Sequence, residues 1–187
     1  MGCCCSYPKY DVFLSFRGED TRNGFASHLF YALERNKIKA YMDDNSLKRG
    51  DEISKALLKA IKKSKLSVII FSENYASSSW CLDELVQILR CKKKYGQVVV
   101  PIFYGVEPSH VREQKGTYLI SSQRPKAEKK KLKAWRGALE KASKIAGWDS
   151  QIIRPDAKLI EEIVKDVKKK VKASFCCMGS CSNRATL

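Results

Sequence analysis

The sequence predicts an α/β protein, with a parallel sheet and helices on both of its faces. Two continuous apolar runs, residues 66–71 and 98–103, are bounded by turn residues, which is typical of strands buried on both faces. Segments with helical spacing alternate with the strands, and this alternation indicates a parallel sheet. The 187 residues, 44% of them hydrophobic, are enough for one domain with a substantial core and short tails.

The first two predicted strands flank the first helix. Residues 10–16 form an apolar strand, and residues 17–20 form the polar turn after it. The helix that follows has an apolar stripe consisting of Phe25, Leu29, Ala32 and Leu33. Residues 38–43 are expected to form a short second strand, and residues 44–50 a polar loop.

Two further helices are expected on either side of the third strand, residues 66–71. The helix before that strand has apolar positions at Ile53, Leu57, Leu58 and Ile61. The helix after it has apolar positions at Leu82, Leu85, Val86 and Leu89. Residues 98–103 then form the fourth strand, which completes two more strand–helix alternations.

The last third of the chain is less regular. A lysine-rich helical stretch is expected over residues 129–146, and Gly147 with Trp148 opens a short edge strand. The final amphipathic helix has apolar positions at Leu159, Ile160, Ile163, Val164, Val167 and Val171. We therefore expect a domain over residues 8–173, with a leader at residues 1–7 and a cysteine-containing tail at residues 174–187.

The net charge is +16, from 36 Lys and Arg against 20 Asp and Glu. Such an excess favours anionic partners, namely acidic lipids, phosphorylated ligands or nucleic acid, although a lysine-rich solvated surface gives the same count. Nucleic acid ranks last, because no stacking aromatics lie among the lysines. No secretory signal or membrane-spanning run occurs, so a reducing cytosol is the expected compartment.

The N-terminus carries a lipidation motif. Met1 to Ser6 match the pattern for N-myristoylation of Gly2, and Cys3, Cys4 and Cys5 are available for palmitoylation. One myristoyl chain binds membranes only marginally, so stable anchoring needs a second signal, which palmitate or the basic surface supplies. The motif predicts the cytoplasmic face of the plasma membrane, and the alternative is an unmodified cysteine-rich leader.

The candidate site lies where the third strand ends. Trp80, Asp83 and Glu84 begin the helix one short loop beyond that strand, and ligands of open α/β sheets bind outside the carboxyl ends of strands. The two carboxylates could instead only complement the helix N-terminus, a contribution of about 0.3–1 kcal/mol each. No Walker A motif, dinucleotide fingerprint, nucleophile elbow or metal-ligand spacing is present, so no cofactor or metal is expected.

Several blocks of sequence, in order, resemble plant Toll/interleukin-1 receptor (TIR) domains, and the likeness spans residues 8 to 173. The blocks are Tyr10 to Arg22, Asp43-Asp44 with Leu47 to Gly50, Ser72 to Ala76, Ser79 to Leu85, and Pro101 to Tyr104 with Pro108 to Arg112. The resemblance implies a flavodoxin-like five-stranded parallel sheet. Since no further domain follows, it also implies a TIR-only protein.

For many plant members the resemblance implies NAD(P)+ glycohydrolase activity. The products are nicotinamide and ADP-ribose or cyclic ADP-ribose isomers, which serve as messengers in innate immunity. The family's catalytic glutamate matches Glu84, and the residues that line its cleft match Arg17, Arg22, Ser78 and Trp80. The loop at residues 44–51 flanks that cleft. NAD+ or NADP+ is then the substrate, and no cofactor is implied.

This assignment fits the chemistry of the bond that is broken. Positive charge develops on the ribose as nicotinamide leaves, and a nearby carboxylate such as Glu84 can stabilise it. Arg17 and Arg22 could bind the diphosphate or the 2′-phosphate, or they could pair with nearby carboxylates on the surface. Trp80 could stack on a flat ring or only anchor the helix, and Ser78 could be only a helix cap.

The resemblance also implies self-association and other TIR-domain partners. Ser27 and His28 match one interface, and the final helix with part of the preceding region matches another. Residues 116–135 are shorter and richer in lysine than is usual, which would alter that second surface. The rival to an enzyme is therefore a non-catalytic adaptor that binds other TIR proteins through these contacts.

Overall fold

A computed structural model describes residues 8–42, 55–120 and 126–179 of the chain. Their strands form one parallel sheet in the order β2-β1-β3-β4-β5. The strands are β1 (Tyr10–Phe16), β2 (Ala40–Met42), β3 (Ser64–Phe71), β4 (Val98–Phe103) and β5 (Trp148–Asp149). This arrangement confirms the predicted fold class.

Apolar side chains on both faces of the central strands explain why the sheet is covered on both sides. In β3, Ile69 and Phe71 enter one core cluster, whereas Val68 and Ile70 enter the other. All four are fully buried. Because successive side chains of a strand point to opposite faces, a continuous apolar run builds two cores at once.

The helices divide between the two faces of the sheet. The side that contains Phe71 is covered by α3 (Lys55–Lys62), α4 (Ser79–Tyr95), α5 (Pro108–Glu113) and α7 (Leu132–Ser143). The opposite side is covered by α2 (Ser27–Arg35) and α8 (Asp156–Gly179). A short helix α1 (Gly18–Thr21) leads into α2 through Arg22–Ala26, where Gly24 has non-helical angles.

Helix α4 positions the candidate site, and its ends follow from local sequence. Ser78 is the N-cap, and its Oγ accepts the backbone N–H of Cys81 at 3.3 Å. Gly96 ends the helix with φ of 68°, a left-handed conformation that glycine adopts without steric cost. Lysines 92–94 in the last turn complement the negative end of the helix dipole.

The bounds of the second strand, of the lysine-rich helix and of the final helix differ from those predicted. The second strand is only Ala40–Met42, because the N–H of Ile38 bonds back to Leu33 O at 3.1 Å in a turn, and Asp43 lies outside the described residues. The predicted helix over 129–146 is two helices, α6 (Lys126–Lys129) and α7, separated by a turn in which the Lys131 N–H bonds to Glu128 O. Helix α8 continues beyond residue 173 to Gly179.

The predicted polar turn at residues 17–20 is wrong, because Gly18–Thr21 forms helix α1, and β3 begins at Ser64 rather than at residue 66. Ile53 lies outside the described residues, and the other predicted strands and helices are present. The predicted apolar face of the final helix is buried against the sheet from Leu159 to Val167, with Val171 packed at its margin. The predicted edge strand is β5, which pairs with β4. Among the described helices, none is both long enough and apolar enough to cross a bilayer.

Candidate active site at the carboxyl edge of β1 and β3

The sheet order creates a crevice at the carboxyl ends of β1 and β3. After β1 the chain moves to β2, on one side of β1, whereas after β3 it moves to β4, on the opposite side. Connections that leave neighbouring strands in opposite directions leave a gap between them, and ligands of such sheets bind there. Arg17 follows β1, and α4 follows β3 after a short loop, so both predicted sets of site residues lie at this edge.

Glu84 projects from α4 to the end of β1. Ser15 Oγ lies 2.8 Å from Glu84 Oε2, and the Glu84 side chain is almost completely buried, with 8% of the residue exposed. Glu84 is the sixth residue of α4, beyond the first turn within which a helix dipole acts. The helix-dipole alternative therefore does not explain its position.

Two further buried groups complete the surroundings of Glu84. Tyr75 OH lies 3.0 Å from Ser15 Oγ and donates to the carbonyl oxygen of Cys81, also at 3.0 Å. Burial raises the pKa of the Tyr75 hydroxyl group well above its usual value. Burial likewise raises the pKa of the Cys81 thiol. Both groups are therefore neutral at physiological pH.

Asp20 anchors the entrance to the crevice. Its Oδ2 accepts the Ser72 hydroxyl at 2.6 Å and the Asn74 backbone N–H at 3.0 Å, and its Oδ1 accepts Arg17 Nη1. Burial alone would raise the pKa of this carboxyl group, but these hydrogen bonds and the Arg17 charge leave it lowered. Asp20 thus ties the segment after β1 to the loop after β3.

Arg17 has two carboxylate partners. In addition to Asp20 it contacts Glu19, whose side chain is 65% exposed, whereas that of Asp20 is only 12% exposed. The surface-pairing alternative is therefore realised for Arg17. Arg22 takes a different position, with its guanidinium 5.2 Å from the ring centre of Phe16, a cation–π arrangement. It also lies against Gly18, where a Cβ atom would be only 3.1 Å from Arg22 Nε.

Ser78, Trp80 and Glu84 all lie in the N-terminal half of α4. Ser78 is the helix cap, as the structural alternative predicted, and the residue is half-buried. Trp80 is half-buried and precedes Glu84 by one helical turn, so the two side chains lie on the same side of the helix. The loop at residues 44–51 lies outside the described residues.

Asp83 has a structural role. Its Oδ1 accepts the indole N–H of Trp135 at 2.8 Å, and its Oδ2 accepts Lys131 Nζ at 2.7 Å. Trp135 is completely buried. Asp83 therefore joins α7 to α4 beside the catalytic candidate, and the two adjacent carboxylates serve different purposes.

The predicted self-association residues lie on the other face of the sheet. His28 is exposed on α2, and the Ser27 hydroxyl bonds to the Arg22 carbonyl oxygen. A groove of about 570 Å³ separates α2 from the start of α8. Its lining includes His28, Tyr31, Asp156 and Ile160. His28 and the final helix, which were predicted as parts of two separate interfaces, thus border one surface.

Residues Gly2 to Cys5 lie outside the described part of the chain, so their predicted lipidation stays a prediction. Within the described part, no group of three or more His, Cys, Asp or Glu side chains is arranged to hold a metal ion.

Three residues of the site were not among those predicted from the sequence: Ser15, Asp20 and Tyr75. A signal existed for Ser15, which is the polar residue inside an apolar strand and lies one position before its end. Asp20 and Tyr75 have no comparable signal, because their importance depends on which loops the sheet order brings together.

Comparisons with known proteins agree with the fold. A family model described as TIR domain matches residues 9–183. The chain is 47% identical over 172 residues to the disease resistance protein RPV1 of Vitis rotundifolia and 44% identical over 166 residues to the TMV resistance protein N of Nicotiana glutinosa. These alignments cover 91% and 87% of this chain but only 12% and 14% of the two relatives.

Two solved structures are also similar. The TIR domains of the activated Roq1 resistosome, which recognises the pathogen effector XopQ, share 48% identity with a TM-score of 0.76, covering 85% of this chain and 99% of that one. The heterodimer of the RPS4 and RRS1 TIR domains shares 25% identity with a TM-score of 0.57, covering 86% and 96% respectively.

Proposed function

This chain belongs to the TIR-domain family, and we propose that it cleaves the bond between nicotinamide and ribose in NAD+ or NADP+. Hydrolysis consumes water and gives nicotinamide and ADP-ribose, whereas attack by a group of the substrate itself consumes no water and gives nicotinamide and a cyclic ADP-ribose isomer. The family resemblance implies this activity in plant immunity, and the relatives are plant disease resistance proteins. The observation that carries the proposal is the buried carboxyl group of Glu84 at the crevice between β1 and β3.

The chemistry requires little beyond a positioned carboxylate. As the bond lengthens, positive charge develops at the ribose carbon, and a carboxylate in a site of low polarity stabilises that charge more than water does. Nicotinamide is cationic in the substrate and leaves as a neutral molecule, so no strong general acid is needed. Glu84 would supply the carboxylate, and Trp80, one turn away on α4, would contact a flat ring of the substrate.

The anionic part of the substrate would bind at Arg17 and Arg22. Arg17 already holds two carboxylates, of which Asp20 is buried and bonded to Ser72 while Glu19 is largely exposed. A diphosphate would therefore displace Glu19 rather than Asp20, because an exposed ion pair contributes less free energy than a buried one. Arg22 lies over the Phe16 ring, and its guanidinium group would contact the phosphate oxygens.

The test is nicotinamide release from NAD+ at high protein concentration, for wild type and Glu84→Gln. The substitution keeps the size of the side chain and removes its charge, and we expect at least a ~100-fold loss, in the range of other charge-stabilising groups. Glu107→Gln is the matched control, since Glu107 is exposed at the start of α5. A Glu84→Gln protein that releases nicotinamide as fast as wild type would refute the proposal.

Self-association through α2 and α8 is a second proposed function, and it would suffice for a non-catalytic adaptor. The groove with exposed His28 and Tyr31 favours it, the latter with 62% of its surface accessible. We expect His28→Ala to weaken self-association in sedimentation experiments, whereas His110→Ala, at the chain's other exposed histidine, has no effect. Equal sedimentation of His28→Ala and wild type would exclude this surface.

We further propose that the N-terminal leader tethers the protein to the cytoplasmic face of the plasma membrane. The proposal is supported by the motif from Gly2 to Cys5 and by the net charge of +16. Gly2→Ala is expected to abolish myristoylation and release the protein from the membrane fraction of plant cells. Unchanged membrane recovery of that variant would exclude acylation as the anchor.

A further inference from the structure

A chain of buried oxygen atoms leads away from the Glu84 carboxyl group. Glu84 Oε2 and Ser15 Oγ are 2.8 Å apart, Ser15 Oγ and Tyr75 OH are 3.0 Å apart, and Tyr75 OH and the Cys81 carbonyl oxygen are 3.0 Å apart. Ser15 and Tyr75 are completely buried. All three separations are hydrogen-bond distances between oxygen atoms.

Three hydrogen bonds require three hydrogen atoms. Ser15 and Tyr75 each supply one hydroxyl hydrogen, and a carbonyl oxygen such as that of Cys81 supplies none. If Glu84 is ionised, only two hydrogens serve the three contacts, so one pair of buried oxygen atoms is left in contact without a hydrogen bond. A proton on Glu84 completes the chain, with each group donating to the next and the last donating to the Cys81 carbonyl.

We propose that the Glu84 carboxyl group is protonated in the free protein, and that Ser15 and Tyr75 are positioning residues that hold it in this neutral form. Burial favours the same state, because a charged carboxyl group loses more solvation than a neutral one when it leaves water. Tyr75 does not ionise in place of Glu84, since burial keeps its hydroxyl group protonated.

The charges on the surrounding described elements are mostly engaged with one another. Arg17 and Asp20 form an ion pair at the entrance, Asp83 of α4 is paired with Lys131, and the Cys81 thiol is neutral. At the amino end of the sheet, Asp11 of β1 pairs with Lys65 of β3. Strand β4 has no ionisable side chain. The lysines of α3 are exposed at positions 55, 59 and 62.

The consequence for catalysis rests on the proposed function, but the protonation itself does not. The bound substrate carries a cationic nicotinamide ring, which would favour the ionised form of Glu84 by charge attraction. The Glu84 proton then leaves to solvent, and the carboxylate faces the charge that develops on the ribose. After the products leave, Glu84 takes a proton from solvent again. The rate at low substrate concentration should therefore rise with pH as Glu84 ionises in the free protein.

The test is a titration of the Glu84 carboxyl carbon by NMR in the full chain, without substrate, using ¹³C-labelled glutamate and assignment through Glu84→Gln. We expect a midpoint at least about one unit above the ~4.3 of a solvated glutamate. A smaller displacement would overturn the proposal. This readout does not depend on enzymatic activity, so a raised midpoint in a protein that releases no nicotinamide would reject the proposed function and leave this inference standing.

Two variants separate the network from burial alone. Tyr75→Phe removes the contact that competes for the Ser15 hydroxyl hydrogen, so Ser15 can serve the ionised carboxylate, and the midpoint should fall by about one unit. Ser15→Ala removes the oxygen atom that accepts the Glu84 proton, and the midpoint should also fall. An unmoved or raised midpoint in folded Tyr75→Phe would overturn the assigned role of the hydroxyl groups.

Matched controls exist for both substitutions. Tyr118 is a buried tyrosine whose hydroxyl donates to the Ser72 carbonyl oxygen at 2.7 Å, and Ser67 is a buried serine bonded to Gln97 at 3.2 Å. Tyr118→Phe and Ser67→Ala remove equivalent groups away from Glu84, and neither should move its midpoint. A shift in either control equal to that of Tyr75→Phe would show a general loss of packing and overturn the proposal.

Discussion

Replacing Asp20 tests how the crevice is held together. Asp20→Ala removes the acceptor of the Ser72 hydroxyl and of the Asn74 backbone N–H, and it leaves Arg17 with only its exposed partner. Hydrogen bonds to a charged acceptor are each worth about 1.5–3 kcal/mol, and the Ser72 hydroxyl would remain buried without that acceptor. We therefore expect a loss of about 3 kcal/mol in the free energy of unfolding.

The assay is equilibrium unfolding in urea, followed by circular dichroism and combined with thermal melting. At about 2–4 °C per kcal/mol for a domain of this size, the melting temperature should fall by roughly 6–12 °C. Asp166→Ala is the control, because Asp166 forms an i,i+4 ion pair with Lys170 on α8, and such pairs contribute less than about 1 kcal/mol. Equal effects of the two substitutions would refute this account of Asp20.

The pH dependence of the same difference has a definite sign. The pKa of Asp20 is lowered below its usual 3.8 in the folded protein, so its ionised form stabilises the fold. That contribution is fully present above about pH 4 and is lost as the pH falls through the lowered folded pKa. The stability difference between wild type and Asp20→Asn should therefore shrink in strong acid. A difference that grows below pH 4 would contradict the assignment.

Two further substitutions probe other parts of the fold. Trp135→Phe removes the indole donor to Asp83 and leaves a cavity under α4, so urea unfolding should show a loss of about 2–3 kcal/mol, and a loss below about 1 kcal/mol would contradict the proposed link. Gly147→Ala would place a Cβ atom 2.3 Å from the carbonyl oxygen of Pro101, so we expect a loss of about 1–3 kcal/mol and faster amide exchange at Trp148 in β5. Unchanged exchange at Trp148 would show that the backbone accommodates the extra atom.

Apolar periodicity predicted the strands and the helical faces, because burial on one or both sides leaves a direct pattern in the sequence. The β3 run and the apolar face of α8 are examples. The same pattern did not separate α6 from α7, since the lysine-rich stretch between them is compatible with a continuous helix. The break is a turn in which the Lys131 N–H bonds to Glu128 O.

The candidate site was predictable in part. The position of Glu84 after a strand end could be inferred from the chain, but its partner Ser15 lies 69 residues away and is brought there by the pairing of β1 with β3. Spacing also left two alternatives for Arg17, because Glu19 and Asp20 are both within reach. The structure shows both contacts, and it shows that the buried partner is Asp20.

The central claim is that an assembled form of this chain cleaves NAD+ at Glu84. The most direct test is nicotinamide release by protein tethered to lipid vesicles at increasing surface density, for wild type, Glu84→Gln and His28→Ala. The account predicts that the wild-type rate per molecule rises with density, that His28→Ala rises less, and that Glu84→Gln stays inactive throughout. A Glu84→Gln protein that matches wild type at high density would contradict the account.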